Sequence, residues 1–304
     1  MKPLHLRTPV VSRDLHNDRR VIHLKLEYVQ PVGSFKIRGV GLLCQRAAAA
    51  GASRFVCASG GNAGVAAAYA GRALGIPTTV VVPSTTSPAA IDRIRAHGAA
   101  VVQHGRQYAE ARDHALAMAE SQSATYVPPF DHPDLWDGHA SLIDEATEQC
   151  RFDSVICSVG GGGLLAGVID GLQRNGIQVP VLAVETSGAA SLAAALAAGR
   201  VVELDTVDTV ATSLAARAVC EGAFERATAN DVRPVVVSDE DAIRACLAFA
   251  ESDRSLVEPA CGAALHVALS THPAADFFQA PLVVVCGGVG VDVSRLAQWI
   301  VERA

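Results

Sequence analysis

One lysine stands out among the residues of this chain that could do chemistry. Lys36 lies in the segment GSFKIRG, at residues 33–39, between a turn-like Gly-Ser pair and an apolar run that predicts a helix. Lysine is rarely buried unless its amine has a partner or a covalent role. On this segment alone, an exposed lysine in the first turn of a helix is the simpler interpretation, and a buried nucleophile is the alternative.

A run of four glycines, Gly160 to Gly163, is the second such feature. It follows the apolar segment SVICSV and precedes LLAG, so the sequence predicts a strand, a glycine loop and a helix. Glycine has no Cβ, and the backbone N–H groups of such a loop can therefore converge on an anion at the start of the helix. We predict a phosphate-binding loop here.

The same loop has a second interpretation. The spacing Gly161-x-Gly163-x-x-Ala166 matches the dinucleotide-binding fingerprint. Glu185 ends the next predicted strand about twenty residues further on, where an acid that binds ribose is expected. A dinucleotide does not explain the other glycine-bearing loops, and the fingerprint lies after a complete α/β unit. A nicotinamide-dependent dehydrogenase stays open as an alternative.

Two more segments with polar residues follow apolar runs. In SGGNAG, at residues 59–64, Asn62 could serve only as a helix N-cap, but Ser59 and the glycines could also form a nest for a carboxylate. Cys286 precedes Gly287-Gly288 at a predicted strand end, which is where parallel sheets bind ligands. A buried structural thiol is the simpler interpretation of Cys286 on local sequence.

Short β-branched runs alternate with longer Ala- and Leu-rich runs along the chain, which is typical of parallel sheets with crossover helices. Strands are predicted at 21–26, 54–57, 78–82, 100–102, 154–159, 181–184 and 282–286. Helices are predicted at 34–50, 62–74, 87–97, 106–121, 135–150, 163–174, 189–198, 216–227, 239–251, 259–269 and 291–301. Three prolines between 128 and 133 predict an irregular segment at 126–133 and a crossing between domains.

Composition and charge narrow the class of protein. The 304 residues are 50% hydrophobic and 18% charged and carry a net charge of −6, as expected of a globular protein that does not bind nucleic acid. No uninterrupted apolar run reaches the ~18 residues of a membrane helix, and the first residues lack a signal-peptide core, so we expect a cytoplasmic protein. The eight cysteines form no CxxC pair and the ten histidines no HxxxH pair, so neither a disulfide framework nor a zinc site is predicted.

Taken together and in order, these segments resemble the fold type II, tryptophan-synthase-β-like enzymes that use pyridoxal 5'-phosphate. Within that family the chain is most similar to the serine/threonine dehydratases, and among them to the short liver-type serine dehydratases. The resemblance runs from about residue 6 to residue 300 and rests on GSFKIRG, SGGNAG, GGGGL, LVEPACG at 256–262 and VCGG at 285–288. It implies an α/β fold of two domains, each a mainly parallel twisted sheet flanked by helices. Residues 1–36 and 132–304 would form the large cofactor-binding domain and 37–131 the small domain with the Asn62 loop.

The resemblance also implies roles for individual residues. Lys36 would form the Schiff base with the cofactor and remove the α-proton, and Phe35 would pack beside the pyridine ring. The other implied cofactor contacts are Asn62 to the ring oxygen, Cys286 at the pyridine nitrogen, and the N–H groups of Gly160, Gly161, Gly162, Gly163 and Leu164 at the phosphate. The substrate carboxylate would be held by Ser59, Gly60, Gly61, Asn62 and Ala63. A monovalent cation such as potassium would be held by Glu185 and by carbonyls that include those of Gly160, Ala189 and Leu214.

The function that the resemblance implies is the elimination of ammonia from L-serine to give pyruvate, with L-threonine giving 2-oxobutanoate as a second reaction. A homodimer is implied as well. The related racemases carry a serine where Gly60 stands, so elimination without racemisation is expected. The alternatives are the dehydrogenase above, another β-elimination or β-replacement enzyme of the same family, and an amino-acid sensor that keeps the fold without turnover.

Overall fold

The computed structural model describes residues 2–15, 20–270 and 272–303, which form ten strands, eleven α-helices and three short 3-10 helices. The strands are β1 (Val10–Leu15), β2 (Arg20–Leu26), β3 (Phe55–Ala58), β4 (Thr78–Val82), β5 (Ala100–Gln103), β6 (Thr125–Val127), β7 (Ser154–Ser158), β8 (Val181–Thr186), β9 (Val232–Val237) and β10 (Pro281–Val285). The helices are α1 (Lys36–Ala49), α2 (Asn62–Leu74), α3 (Pro88–Ala96), α4 (Tyr108–Ser121), α5 (Pro133–Thr147), α6 (Gly163–Arg174), α7 (Ser191–Ala198), α8 (Glu221–Ala229), α9 (Asp239–Asp253), α10 (Pro259–Leu269) and α11 (Val293–Arg303). The 3-10 helices are Glu27–Val29, Ser187–Ala189 and Thr212–Leu214.

The strands form two sheets. The large sheet has the order β1-β2-β10-β7-β8-β9, and the small sheet has the order β5-β4-β3-β6. Every pairing is parallel except that of β1 with β2. Central strands such as β7 and β10 are buried at every residue, because helices cover both faces of a parallel sheet. The predicted α/β architecture of two mainly parallel sheets is confirmed.

Three strands are absent from the sequence prediction. Strand β1 is a polar antiparallel edge, and β9 contains Pro234, which suits an edge strand because proline cannot donate to a neighbouring strand. Strand β6 lies at Thr125–Val127 and overlaps the start of the segment predicted to be irregular, 126–133, and α5 begins at Pro133. The prolines therefore lie at the ends of this strand and this helix and do not prevent either from forming. Proline is favoured in the first turn of a helix.

Other bounds differ from the prediction by a few residues, and the largest difference is at α8. Its predicted start was 216, but the structure places a 3-10 helix at Thr212–Leu214 and begins α8 at Glu221. All strands of the small sheet lie between residues 55 and 127, inside the range predicted for the small domain. The domain boundaries themselves stay a prediction.

A buried ion-pair cluster fixes the start of α1. Its members are Lys25 of β2, Glu27, Arg38 of α1 and Glu145 of α5, and the first three are fully buried. The Arg38 guanidinium donates to both oxygens of Glu27 at 2.7 and 2.8 Å and to both oxygens of Glu145 at 2.8 and 2.7 Å. Arg38 is two residues from Lys36, so the cluster ties the helix start that carries this lysine to β2 and α5.

We expect Arg38→Met to lower the free energy of unfolding by about 3–5 kcal/mol, because it leaves two buried carboxylates without their shared cation. Urea denaturation measures this change. The matched control is Arg46→Met, on the same helix and paired with Asp134 and Asp137 of α5, but half exposed. An exposed pair contributes at most about 1 kcal/mol. Equal losses in the two variants would contradict the role given to the cluster.

Candidate active site

Lys36 is the first residue of α1, and its side chain is only partly buried. Its Nζ donates to the carbonyl oxygen of Pro129 at 2.6 Å and lies 5.1 Å from the centroid of the Phe35 ring. Burial lowers the pKa of the Lys36 amine to about 8, while the nearby Cys57, Cys286, Glu258 and Cys220 act in the opposite direction. A lysine in these surroundings is partly neutral near neutral pH and can act as a nucleophile or a base.

Backbone hydrogen bonds join the Lys36 segment to the Cys286 segment. The N–H of Phe35 donates to the Cys286 carbonyl at 3.1 Å, and the N–H of Gly288 donates to the Gly33 carbonyl at 2.8 Å. Ser34 and Gly287 form an isolated antiparallel bridge between these two bonds. The structure thus brings Phe35, Lys36 and Cys286 together, although they are about 250 residues apart in the sequence.

The glycine run connects β7 to α6. Gly162 has φ +91°, a left-handed conformation that disfavours side chains, and a Cβ there would lie 2.4 Å from the Ala223 side chain. A Cβ on Gly161 or Gly163 would lie within 2.6 Å of Phe130, the residue after the carbonyl that binds Lys36. The loop therefore lies beside the lysine.

The backbone N–H groups of residues 160–164 lie at the start of α6. Within the described part of the chain, none of them donates a turn or cap hydrogen bond to another backbone carbonyl. The first N–H groups of a helix have no acceptor in a preceding turn and carry the positive end of the helix dipole. This end of α6 can bind an anion such as a phosphate.

Asn62 begins α2, directly after β3 and the glycine pair of its loop. Its Nδ2 donates to both oxygens of Glu258 at 3.2 and 3.1 Å, and its Oδ1 accepts from the Val289 N–H at 3.0 Å. Asn62 is therefore held by residues next to Cys286 in the sequence and by a buried carboxylate. The rest of the loop, Ser59, Gly60, Gly61 and Ala63, surrounds the N-terminus of α2.

Several residues of the site were missed or left without a role by the sequence analysis. Pro129 and Phe130 lie in the segment between β6 and α5, where the density of prolines was the only signal. Ser213 had no signal at all. Glu258 lies in the segment LVEPACG that carries part of the resemblance, yet its type and position alone did not predict its contacts.

The residues predicted for a cation fall into two adjacent groups. Glu185 at the end of β8 directs both carboxylate oxygens to the N-terminus of α7, where the N–H groups of Leu192 and Ala193 donate at 2.7 and 2.8 Å. Burial raises the pKa of Glu185 to about 7, against the effect of these donors. Ala189 is buried in the connection between β8 and α7, whereas Gly160 lies against Leu214, whose Cα would be 2.9 Å from a Cβ there. The cation set stays a prediction, and the described residues contain no group of three or more His, Cys, Asp or Glu side chains that could hold a metal ion.

The Cys286 thiol is buried and stays protonated. A hydrogen bond with the Cys261 thiol, together with burial, raises the pKa of Cys286 well above its ordinary value. The Sγ also lies 3.7 Å from the Gly287 carbonyl. Cys286 can thus offer a neutral thiol to a bound group, but not a negative charge.

Comparisons with known proteins by family model, by sequence and by structure give results that agree with one another. Residues 1–287 match the family model described as "Pyridoxal-phosphate dependent enzyme". The chain is 42% identical to the human "L-serine dehydratase/L-threonine deaminase", covering 97% of this chain and 94% of the relative, and 44% identical to the rat "Serine dehydratase-like" protein, covering 91% and 88%. Its fold is similar to that of the L-serine ammonia-lyase of the fungus Rhizomucor miehei, with a TM-score of 0.90 and 34% identity over the whole of both chains.

The pKa of Lys36 leads to a pH dependence that can be measured directly. Only the neutral amine attacks an aldehyde, and a pKa lowered from 10.5 to about 8 makes half of the amine neutral at about pH 8. We expect the rate at which the cofactor-free protein forms an imine with pyridoxal phosphate to rise with pH through about 8 and then to level off. Stopped-flow absorbance between about pH 6 and pH 10 measures this rate.

The chain offers an unusually clean control for this experiment, because it contains only three lysines, Lys2, Lys25 and Lys36. Lys25 is fully buried and paired with Glu145. Lys2→Arg should leave the fast phase unchanged and Lys36→Ala should remove it. A fast phase that survives in Lys36→Ala, or a midpoint near pH 10.5, would contradict the assignment.

Proposed function

The chain belongs to the pyridoxal-phosphate-dependent enzymes, and from this premise we propose that it is an ammonia-lyase that converts L-serine into pyruvate and ammonia and also L-threonine into 2-oxobutanoate. One observation carries the proposal. A lysine amine with a pKa of about 8 lies beside an anion-binding helix start and a protonated thiol, in the order along the chain that the resemblance requires. The names of the similar proteins support the choice of substrate.

The site fits the cofactor of the family. The free N–H groups at 160–164 suit its phosphate, and the Lys36 amine suits its aldehyde. The Phe35 ring adjoins the lysine and gives an apolar surface for an aromatic ring. We therefore assign the phosphate to Gly160, Gly161, Gly162, Gly163 and Leu164, the covalent Schiff-base link to Lys36, the ring oxygen to Asn62 and the pyridine nitrogen to Cys286.

The protein's own residues bind, orient and move one proton. When bound, pyridoxal phosphate supplies an electron sink for bond cleavage at the α-carbon of an amino acid. Lys36, whose amine is partly neutral near neutral pH, takes the α-proton. The loop from Ser59 to Ala63 holds the substrate carboxylate, because the start of α2 offers N–H groups and the positive end of a helix dipole.

The thiol at position 286 bears on the type of reaction. Its raised pKa keeps it neutral, so it does not hold a proton on the pyridine nitrogen as a carboxylate would. Beside such a neutral thiol the cofactor would supply a weaker electron sink, which would favour elimination of the β-hydroxyl. This supports elimination within the family over reactions that need a long-lived carbanion.

The other functions have less support. A dehydrogenase has less support because residues 1–287 match the model of the pyridoxal-phosphate-dependent enzymes. Glu185, with carbonyls of Gly160, Ala189 and Leu214, is proposed to bind a monovalent cation such as potassium. A homodimer is proposed from the resemblance, and a cytoplasmic location from the sequence. None of the helices in the described residues is long and apolar enough to span a bilayer.

Turnover of L-serine tests the proposed function. The purified protein loaded with pyridoxal phosphate should release pyruvate and ammonia in equal amounts, and Lys36→Ala should lower kcat by about 10²-fold or more, because it removes the base. Lys2→Arg is the control and should retain full activity. A yellow protein that releases no ammonia from any β-hydroxy amino acid would indicate a sensor. Release of acetate from O-acetylserine only when sulfide is present would indicate a β-replacement enzyme.

Gly60 leads to a prediction about stereochemistry. Glycine has no side chain that could protonate the opposite face of the α-carbon, so L-serine should give no D-serine. Chiral chromatography of the reaction mixture measures both enantiomers. In Gly60→Ser the new Cβ would lie 2.9 Å from the Thr86 side chain, which must move, so we expect that variant to lose activity by about tenfold unless Thr86 is shortened as well. D-serine formed by the unaltered protein would contradict the absence of a second base.

A further inference from the structure

Glu258 is a buried carboxylate that the functional assignment above does not use. It precedes α10, yet its side chain makes no capping hydrogen bond to that helix. It is only 5% exposed. A buried carboxylate is costly unless donors surround it, so its contacts identify its task.

Four donor contacts from three different segments meet at this carboxylate. Asn62 Nδ2 donates to both oxygens at 3.2 and 3.1 Å, Ser213 Oγ donates to Oε2 at 2.5 Å, and the Gly290 N–H donates to Oε1 at 2.5 Å. Burial raises the pKa of Glu258, and the three donors act against this effect. Only an ionised carboxylate accepts all of these bonds without donating one itself.

The contact between Glu258 and Asn62 joins the two sheets. Asn62 begins α2, which packs against β3 and β4 of the small sheet, whereas α10 packs against β7, β8 and β10 of the large sheet. The other partners of Asn62 are Val289 and Ser213, which also belong to segments on the large-sheet side. The hydrogen-bond partners of the Asn62 side chain thus all lie outside the small sheet.

The glycines after Cys286 leave the space that Glu258 fills. A Cβ on Gly288, whose φ is +129°, would lie 2.1 Å from the Glu258 Cδ, and a Cβ on Gly290 would lie 2.7 Å from its Oε1. The backbone that follows Cys286 therefore packs directly against the Glu258 carboxylate. Glu258 also lies within electrostatic range of Lys36.

We propose that Glu258 is a positioning residue that orients the Asn62 carboxamide toward the cofactor ring and fastens the small sheet to the Cys286 segment. The Asn62 Nδ2 donates to the carboxylate and lies 3.4 Å from Ser213 Oγ, which itself donates to Glu258. Asn62 Oδ1 is fixed by Val289 at the same time, which leaves the carboxamide in one orientation. This inference rests on the proposed function only in so far as Asn62 contacts the cofactor.

The first test concerns the cofactor-free protein. Glu258→Gln preserves shape but places an N–H₂ group against at least one of the donors from Asn62, Ser213 and Gly290. Amide hydrogen exchange followed by mass spectrometry should show at least tenfold faster exchange at Val289 and Gly290, with unchanged slow exchange in β7, which is hydrogen-bonded within the large sheet. Unchanged exchange at Val289 and Gly290 would contradict the proposed role of Glu258 in holding Asn62 and the Cys286 segment.

The second test asks whether Glu258 acts through Asn62. The affinity for pyridoxal phosphate, measured by absorbance titration, should fall about tenfold in Glu258→Gln and in Asn62→Ala. In the Asn62→Ala background, Glu258→Gln should lower the affinity by less than threefold more, because the residue through which it acts is already absent. Additive losses, or an Asn62→Ala variant with full affinity beside a weakened Glu258→Gln variant, would overturn the proposal.

Two further variants keep these tests decisive. Glu145→Gln is a matched change of a largely buried glutamate in the ion-pair cluster, and any effect it has on cofactor affinity should add to that of Asn62→Ala. If Glu258→Gln does not fold, Ser213→Ala removes one donor to the same carboxylate and should give a smaller loss of affinity that also disappears in Asn62→Ala. Cofactor affinity and amide hydrogen exchange are measured without turnover. Inactivity toward L-serine would therefore count against the proposed function and not against the positioning role of Glu258.

Discussion

The buried pairing of Arg38 with Glu27 and Glu145 is the interaction on which the geometry of the site depends. It connects the 3-10 helix that follows β2 with α1 and α5, through side chains that are almost completely removed from water. Within a low-dielectric interior such contacts tolerate little displacement, because moving one partner leaves a charge without compensation. The first turn of α1 is held in this way, and Lys36 occupies the first position of that turn. The flexible side chain of Lys36 is therefore attached to a rigidly held backbone.

Loops that follow strands and the starts of helices supply the rest of the site. Lys36 binds the Pro129 carbonyl, Phe130 packs on the glycine run, and the Lys36 segment pairs with the Cys286 segment through backbone hydrogen bonds. Parallel sheets bind ligands at the carboxyl ends of their strands, where helix N-termini and loops converge. The site of this chain combines one such helix start, that of α6 on the large sheet, with another, that of α2 on the small sheet. The proposed function assigns one anionic group to each of these two helix starts.

The contact between Glu258 and Asn62 connects the large-sheet side of the site to the small-sheet side. An ionised carboxylate accepts hydrogen bonds from Asn62, Ser213 and Gly290 together without having to donate one itself, and a side chain on Gly288 would occupy the space that Glu258 fills. Because the carboxylate is near Lys36, it also works against the effect of burial on that amine. One buried charge thereby affects the orientation of an amide, the path of the Cys286 segment and the protonation of the lysine.

The sequence by itself determined the local chemistry and the class of fold. The alternation of apolar runs predicted the parallel sheets, and the segments around Lys36, Asn62, Gly160–Gly163 and Cys286 indicated the family. Strands β1, β6 and β9 were missed, because an edge strand or a three-residue strand has too little hydrophobic pattern to stand out. Only the tertiary structure decided that Pro129 accepts from Lys36, that Ser213 reaches the site, and that Glu258 meets Asn62 rather than capping α10. The physical reason is that a buried hydrogen bond depends on which distant segments share one volume, and residue types along the chain do not carry that information.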